Sequence, residues 1–305
     1  MTSRFFIFGA GYSARAFAAT RTDASAGIAG TTRSPEKFAA LRDAGIEPLL
    51  FDGREFSPDL LEQLGQATHL VVSISPEEGG DPVIPLLRDG LDRLAPQLRW
   101  IGYLSTVGVY GNHDGGWVDE RSECRPVSKR SQLRLEAENQ WLALGEEASV
   151  PVAVLRLSGI YGPGRNAFVN LRNGTAKRLI KPGQVFNRIH VADIAGALWH
   201  LSERDLGGVF NVTDDLPAPP QDVVAYAAGL MGVEPPPEIP FASAQLSPMA
   251  RSFYGENKRV SNAAIKRIGY RFRHPDYRSA FDAMWTAGGW AGEGDSDARS
   301  AMKRS

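Results

Sequence analysis

The order that most constrains this 305-residue chain comes at its start. A run of strand length, Arg4–Phe8, ends at Gly9-Ala10-Gly11-Tyr12-Ser13-Ala14, and a small-residue helix over Ser13–Thr20 follows. Strand, glycine turn and helix in that order form a G-x-G-x-x-A fingerprint. Gly9 permits the tight turn, Gly11 lets the backbone approach a pyrophosphate, and Ala14 lets helix and strand pack closely. The helix N-terminus then offers free N–H groups to an anion. A chain that opens this way is committed to crossover connections and a parallel sheet.

The rest of the first two hundred residues keeps that promise. The pattern predicts strands over Gly27–Thr32, Ile46–Phe51, His69–Ile74, Trp100–Leu104 and Val152–Leu157. Between them it predicts helices from Ser34 to about Ala44, over Ser57–Leu64, over Pro82–Leu94, and over Ser131–Leu144, the last stopped by Gly145. After residue 160 the pattern loosens to a helix at Val191–Leu201, a short strand at Val209–Val212 and proline-rich stretches at 217–220 and 235–240. Such alternation means an α/β fold, a Rossmann-type doubly wound parallel sheet, here with a small C-terminal substrate lobe. The expected organisation is a nucleotide-binding domain over 1–160, completed by 187–212, and a lobe from 161–186 and 213–287. A flexible tail rich in Gly, Ser and charge is expected over 288–305.

Composition excludes more than it suggests. Lys and Arg number 34 against 35 Asp and Glu, a formal charge of −1, which argues against a nucleic-acid or membrane-surface binder. The single cysteine, Cys124, excludes an intrachain disulfide framework or a cysteine-based zinc site and fits a reducing compartment. No stretch reaches the roughly 18 apolar residues of a membrane span, and the start lacks the apolar region of a signal peptide. A soluble, cytoplasmic protein is expected. His69, His113, His190, His200 and His274 show no metal-ligand spacing, so no metal is expected. Only 7 of the 34 basic residues are Lys. That excess of Arg suits either genome base composition or sites that grip a planar or phosphorylated anion.

About twenty residues past the fingerprint, a site for NAD usually has a carboxylate for the ribose. This chain has Gly30-Thr31-Thr32-Arg33-Ser34. A guanidinium suits a 2′-phosphate and can lie on the adenine, which points to NADP(H), with NAD left open. Asp52, at the end of the third strand, is either an acceptor for the adenine amino group or a turn residue. Tyr12, Ser13 and Thr32, with Ser73 and Ser105 at strand ends, complete the expected cofactor contacts.

Three further segments carry a resemblance. They are Leu104-Ser105-Thr106-Val107-Gly108-Val109-Tyr110-Gly111, then Leu155-Arg156-Leu157-Ser158-Gly159-Ile160-Tyr161-Gly162-Pro163-Gly164-Arg165, then Arg188-Ile189-His190-Val191-Ala192-Asp193. In this order and spacing the chain resembles the extended short-chain dehydrogenase/reductases, the NAD(P)-dependent epimerase/dehydratase family. Its non-standard details look like the atypical YeeZ-like branch. The resemblance implies a catalytic Ser/Thr, which falls on Thr106, and a Tyr-x-x-x-Lys pair on the next helix. Matching the family's helix Glu to Glu138 puts Arg134 in the Lys slot and Arg130 in the Tyr slot. Positions 111–160 contain no tyrosine. Arginine stays charged and cannot exchange a proton near neutral pH. The two arginines share a helix face and can hold an anion or the cofactor's ribose, or are a solvated pair beside Glu136 and Glu138. His113, in the loop after the fifth strand, is either the surrogate for the lost proton donor or a solvated loop histidine. The family's habit is a dimer through the helix around 131–144, which allows a homodimer here.

On the substrate side, Arg165, Arg172, Lys177, Arg178, Lys181 and Arg188 occur without an Asp or Glu between them. A wall of that sign favours a small anionic substrate such as a sugar nucleotide or a carboxylate. Tyr110, Tyr161, Arg165 and Arg188 are the expected substrate contacts. Two functions fit. One is an NADP-dependent oxidoreductase or epimerase/dehydratase-like enzyme with an unusual proton donor. The other is a non-catalytic NADP(H)-binding redox sensor.

Overall fold

The computed structural model describes residues 2–20 and 27–292. Seven strands make one sheet: β1 (Arg4–Phe8), β2 (Gly27–Thr32), β3 (Glu47–Leu50), β4 (His69–Val72), β5 (Trp100–Thr106), β6 (Val152–Leu157) and β7 (Gly208–Val212). Their spatial order is β7-β6-β5-β4-β1-β2-β3, and every neighbouring pair is parallel. Order reverses between β1 and β4, and the carboxyl ends of the strands at such a reversal form the natural ligand crevice.

Both faces of the sheet are covered, which is why its strands are near-continuous apolar runs. On one face Ala14 and Phe17 of helix Tyr12–Ala19 pack with Ile194 and Leu198 of helix Val191–Ser202 against Phe5, Ile7 and Leu155. On the other, Leu60, Leu64, Leu87 and Trp141 pack against Phe6, Phe8, Leu70 and Val154. A separate core fills the lobe, where Phe168, Val223, Ala227, Phe281 and Met284 meet Trp290. Three parallel two-stranded ladders stitch the C-terminal half: Gly159–Tyr161 with Arg188–His190, Arg178–Ile180 with Glu238–Pro240, and Trp117–Val118 with Arg259–Val260.

Several local expectations change. The helix that Gly145 is expected to stop runs from Lys129 to Ala148 and ends at Ser149, whose φ is +56°. Gly145 is instead the residue on which Val152 of β6 packs, where a Cβ would collide with its side chain. Pro82–Leu94 is two single turns, Ile84–Leu87 and Leu91–Leu94, the first held by Asp81 accepting from the amides of Val83 and Ile84. The stretch after Ser34 is a 3₁₀ turn, Pro35–Lys37, leading into a helix over Phe38–Asp43, and the Ser34 side chain makes no cap. The tail does not begin loose at Gly288, because Trp290 is 3% exposed and stacks 6.2 Å from Trp285. Residues 293–305 of the expected tail lie outside the described residues. Along helix Lys129–Ala148 the outward residues are Gln132, Glu136, Asn139, Gln140 and Glu146, a polar face for the expected dimer contact. Among the described residues no helix is long and apolar enough to cross a membrane.

Candidate cofactor and active site

The glycine turn is built for close backbone approach. Gly9 sits at φ +90°, and a Cβ there would lie 3.0 Å from Ile74 Cγ1 and 3.1 Å from its amide. Thr31, which the sequence reading passes over, anchors the turn: its hydroxyl accepts from Gly9 N at 2.9 Å and its carbonyl from Ala10 N at 2.7 Å. Ala14 is 3% exposed, and the Ser13 side chain is buried too, so Ser13 can meet a ligand only through its backbone. Among the described residues the amides of Tyr12, Ser13 and Ala14 have no acceptor. That is the orphaned N–H set of a helix N-terminus, and it fits an anion. The dinucleotide's pyrophosphate therefore fits this loop. The Tyr12 hydroxyl donates to Pro163 O at 3.0 Å. Burial pushes that hydroxyl up to about 12, with Arg165 and Arg15 pulling the other way.

Past β2, Thr32 Oγ1 accepts from Ser34 N at 3.2 Å and shapes the turn that presents Arg33. Arg33 is three-quarters exposed, and Glu77, 3.5 Å away, is equally so. Solvent leaves such a pair weak. Arg33 rims a cavity of about 320 Å³ with Leu50, Phe51, Asp52 and Ser57, a size and lining suited to an adenosine end. Asp52 accepts from Arg54 N at 3.0 Å, so it shapes the turn and lines the cavity at once. Ser73 ends β4 with its amide on Phe8 O at 2.8 Å, directly under Gly9.

The expected catalytic residue Thr106 lies at the tip of β5. Thr106 Oγ1 accepts from Gly108 N at 3.1 Å, which leaves its proton free to donate. The long helix starts against it: a Cβ on Gly108 would lie 2.8 Å from Ser131 Oγ and 3.4 Å from Thr106 Oγ1. Arg134 is 6% exposed, donates to Leu104 O and, at 2.7 Å, to Ser75 Oγ, and lies over the Tyr103 ring. It ties β5 to the loop after β4. Arg130, one turn earlier, is exposed and has no ion pair among the described residues. Neither arginine takes Glu138.

Glu138 belongs to a buried network that overturns two expectations. Its carboxylate accepts from Arg156 Nε at 3.1 Å and Nη2 at 2.7 Å, and from Ser105 Oγ. Arg156 Nη1 donates to the Tyr110 hydroxyl at 3.0 Å, which donates to Asn211 Oδ1 at 2.8 Å. Ser105, expected at the cofactor, and Tyr110, expected at the substrate, are thus core residues, 5% and 0% exposed. Burial holds the Tyr110 hydroxyl near 12. Burial alone would lower the Arg156 guanidinium, but its bonds to Glu138 win and raise it.

His113 is also committed elsewhere. Its Nε2 bonds Tyr110 O at 3.0 Å and its amide donates to Asn257 O at 2.9 Å, so the ring anchors the loop instead of standing free as a proton donor. Tyr161 is buried, edge-on to His190 at 5.3 Å and to Phe281, with its hydroxyl unpartnered and pushed far up by burial. His190 accepts from Ala192 N at 3.2 Å, and burial, then the charges of His274 and Arg273, hold its pKa near 3. Asp193 accepts from Tyr270 and the amides of Arg273 and His274, a structural role.

The expected basic wall divides. Arg178 pairs with Glu238 at 2.7 Å, Lys181 donates to Tyr254 O, and Arg172 lies over the Trp290 ring at 5.1 Å. Arg188 donates to the carbonyls of Phe186 at 2.9 Å and Ala218 at 3.0 Å, so it ties together the two segments that bridge there. Arg165 is exposed, with no ion pair among the described residues. The segment 256–262 is a clasp. Lys258 is 6% exposed and donates to Gly111 O at 2.7 Å and Glu256 at 2.6 Å, while Asn187 holds Lys258 O and Val260 N. Among the described residues no cluster of three or more His, Cys, Asp or Glu could hold a metal.

Residues 95–213 match the NAD dependent epimerase/dehydratase family. Protein YeeZ of Escherichia coli (strain K12) is 27% identical over 263 residues, 82% of this chain and 88% of that protein. A functionally unknown conserved protein from Silicibacter pomeroyi DSS is 48% identical and superposes with a TM-score of 0.84, over 94% of this chain and 99% of its own. The human epimerase family protein SDR39U1 (isoform 2), solved with NADPH, is 19% identical with a TM-score of 0.72, over 93% of this chain and 99% of its own. That last likeness is one of fold.

Proposed function

We propose that the chain is a member of the NAD dependent epimerase/dehydratase family, whose model matches residues 95–213, and that it works as an NADP(H)-dependent oxidoreductase or epimerase-like enzyme. Its substrate is a small, anionic carbonyl or hydroxyl compound. The carrying observation is the set of donors at the carboxyl edge: three orphaned amides after Gly11, and Arg33, with only the exposed Glu77 beside it, at the rim of the adenosine-sized cavity. When bound, the nicotinamide supplies or takes a hydride. Thr106 holds the substrate oxygen through its free proton. Arg130 stabilises negative charge on that oxygen but cannot protonate it. In the reducing direction water supplies the proton, and in the oxidising direction water takes it.

A second reading has its own support. The hydroxyls of Tyr103, Tyr110 and Tyr161 are buried and His113 is bonded to backbone, so none of these groups stands free as an acid at the cleft. That favours a non-catalytic NADP(H) sensor. Fluorescence titration with NADPH and NADH, followed by turnover on a panel of carbonyls and sugar nucleotides, separates the two. Oxidation of NADPH by any anionic carbonyl supports the enzyme. Tight binding without turnover across the panel supports the sensor. Absence of nucleotide binding refutes both. Arg33→Ala should weaken NADPH by roughly tenfold or more, the worth of a charge-assisted contact, and leave NADH unchanged.

A further inference from the structure

We propose that Arg15 and Arg165 close from two sides on the pyrophosphate of the bound dinucleotide, which makes the lobe turn at Gly162–Arg165 part of the cofactor site. This rests on the reading that the chain binds NADP(H), and it moves Arg165 from the substrate wall to the cofactor.

The geometry begins at Tyr12. Its hydroxyl donates to Pro163 O at 3.0 Å, which joins the glycine loop to a turn 151 residues later. That turn is tight: Gly162 N donates to Arg165 O and Arg165 N to Gly162 O, each at 3.0 Å. Gly162 has φ +155°, and a Cβ there would lie 2.6 Å from the Tyr12 hydroxyl, so the two segments touch with no room for a side chain. The turn is braced from behind. Asn166 Nδ2 donates to Gly162 O at 2.8 Å and Trp290 O at 2.7 Å, and Gly164 N donates to Trp290 O at 2.9 Å. The Arg165 backbone is therefore held beside Tyr12, with its side chain exposed.

Several donors around this junction have no acceptor among the described residues. Arg165 and Arg15 are the two positive charges that act on the Tyr12 hydroxyl, and neither has an ion pair among the described residues. The amides of Tyr12, Ser13 and Ala14 are unsatisfied below them. His190 adds an independent sign. It is 5% exposed, and its Nδ1 accepts from Ala192 N, so in the neutral ring Nε2 carries the proton. That N–H has no partner, and it faces the same glycine, 3.4 Å from where a Gly162 Cβ would stand. Two guanidinium groups, three amides and a buried imidazole N–H with no facing acceptor describe a site for a multiply charged anion. A pyrophosphate seated on the glycine loop supplies it.

The test compares two probes on the full chain by calorimetry. NADP⁺ carries the pyrophosphate, and adenosine 2′-monophosphate lacks it. Arg165→Ala and Arg15→Ala should each weaken NADP⁺ by roughly tenfold or more and leave adenosine 2′-monophosphate within about twofold. Arg165→Lys should recover part of the loss, and Arg33→Ala should weaken both probes. If Arg165→Ala leaves NADP⁺ affinity unchanged while the wild type binds it, the clamp is wrong and the cofactor reading stands. If Arg165→Ala weakens both probes alike, the clamp is also wrong, because the effect does not track the pyrophosphate. If the wild type binds neither probe, the cofactor reading itself falls and takes the clamp with it.

Discussion

Arg156 and Arg33 stand near the same edge of one sheet, and the protein treats them in opposite ways. Arg156 is buried with Glu138, and its guanidinium is bonded to that carboxylate and to Tyr110. Arg33 reaches into solvent with only an exposed glutamate near it. The first arrangement is complete without a ligand. The second is not. The same contrast separates two regions: the β5–β6 side, where Ser105, Glu138, Arg156, Tyr110 and Asn211 satisfy one another, and the β1–β2 side, where orphaned amides and the weakly paired Arg33 face outward. Saturated polar groups are architecture, and unsatisfied ones at a crevice mark the ligand.

The largest effect should come from breaking the saturated side. Glu138→Gln removes the carboxylate and leaves Arg156 charged and buried, which costs about 3–5 kcal/mol. For a chain of this size that is a fall in thermal midpoint of roughly 6 °C or more. Arg33→Ala should stay within about 0.5 kcal/mol of wild type, as an exposed substitution does. Thermal unfolding of the two variants side by side checks this. If both lie within that half kilocalorie, the contrast between paired and unpaired arginines has no energetic content.

How far the sequence shows this contrast depends on what sets each feature. The glycine loop and the strands were legible because they rest on local rules: Gly9 needs positive φ, and a buried parallel strand needs an unbroken apolar run. The end of the long helix was not, because Gly145 answers to Val152 across space and not to the helix. The site divides likewise. Arg33 could be placed from its distance to the fingerprint. Ser105 and Tyr110 could not, since a strand-end hydroxyl reads alike whether it turns to a cofactor or to Glu138. Arg188 and Lys181 looked like cleft cations only because the carbonyls they hold, from Phe186, Ala218 and Tyr254, carry no sequence signal. Thr31 gave a faint one, a hydroxyl residue in the last turn of β2 beside a glycine loop.

Next in size is the acid side of the stability profile. His190 is held near 3 when folded and near 6.5 when unfolded, so the unfolded chain binds the proton first. Its contribution is complete above about pH 6.5 and is lost as pH falls from there toward 3. His69 and His274 are shifted the same way by burial. The thermal midpoint should therefore drop below pH 6.5, and His190→Gln should flatten that limb. An unchanged slope in the variant would show that His190 is not buried as a neutral ring.

Asp214 works from the other side. Burial raises its carboxyl to about 8 despite the Leu216 amide and the Arg188 charge. The folded chain keeps a proton that the unfolded one gives up near 4, so stability is full below about pH 4 and lost as pH rises toward 8. Asp214→Asn keeps the acceptor for Leu216 N and removes the titration. The variant should match wild type near pH 4 and unfold at a higher temperature at pH 8–9. Equal midpoints at both pH values would place Asp214 in water.

The smallest effect on stability tests the contrast within a single helix stripe. Arg134 and Arg130 lie one turn apart, yet only Arg134 holds Leu104 O and Ser75 Oγ from a buried position. Arg134→Ala strips both acceptors of their donor and should cost about 1–3 kcal/mol, with β5 and the Ser75 loop loosened together. Arg130→Ala should cost less than about 0.5 kcal/mol, because none of the described residues is bonded to its side chain. Its effect should appear only with substrate, as a rise in KM for anionic carbonyls that is absent for neutral ones of similar shape. If Arg130→Ala destabilises the protein as much as Arg134→Ala, then Arg130 is a structural residue whose partner forms in solution. The Tyr slot of the family would then be filled by architecture, as the Lys slot is by Arg134, and the water-mediated proton step would lose its charged partner.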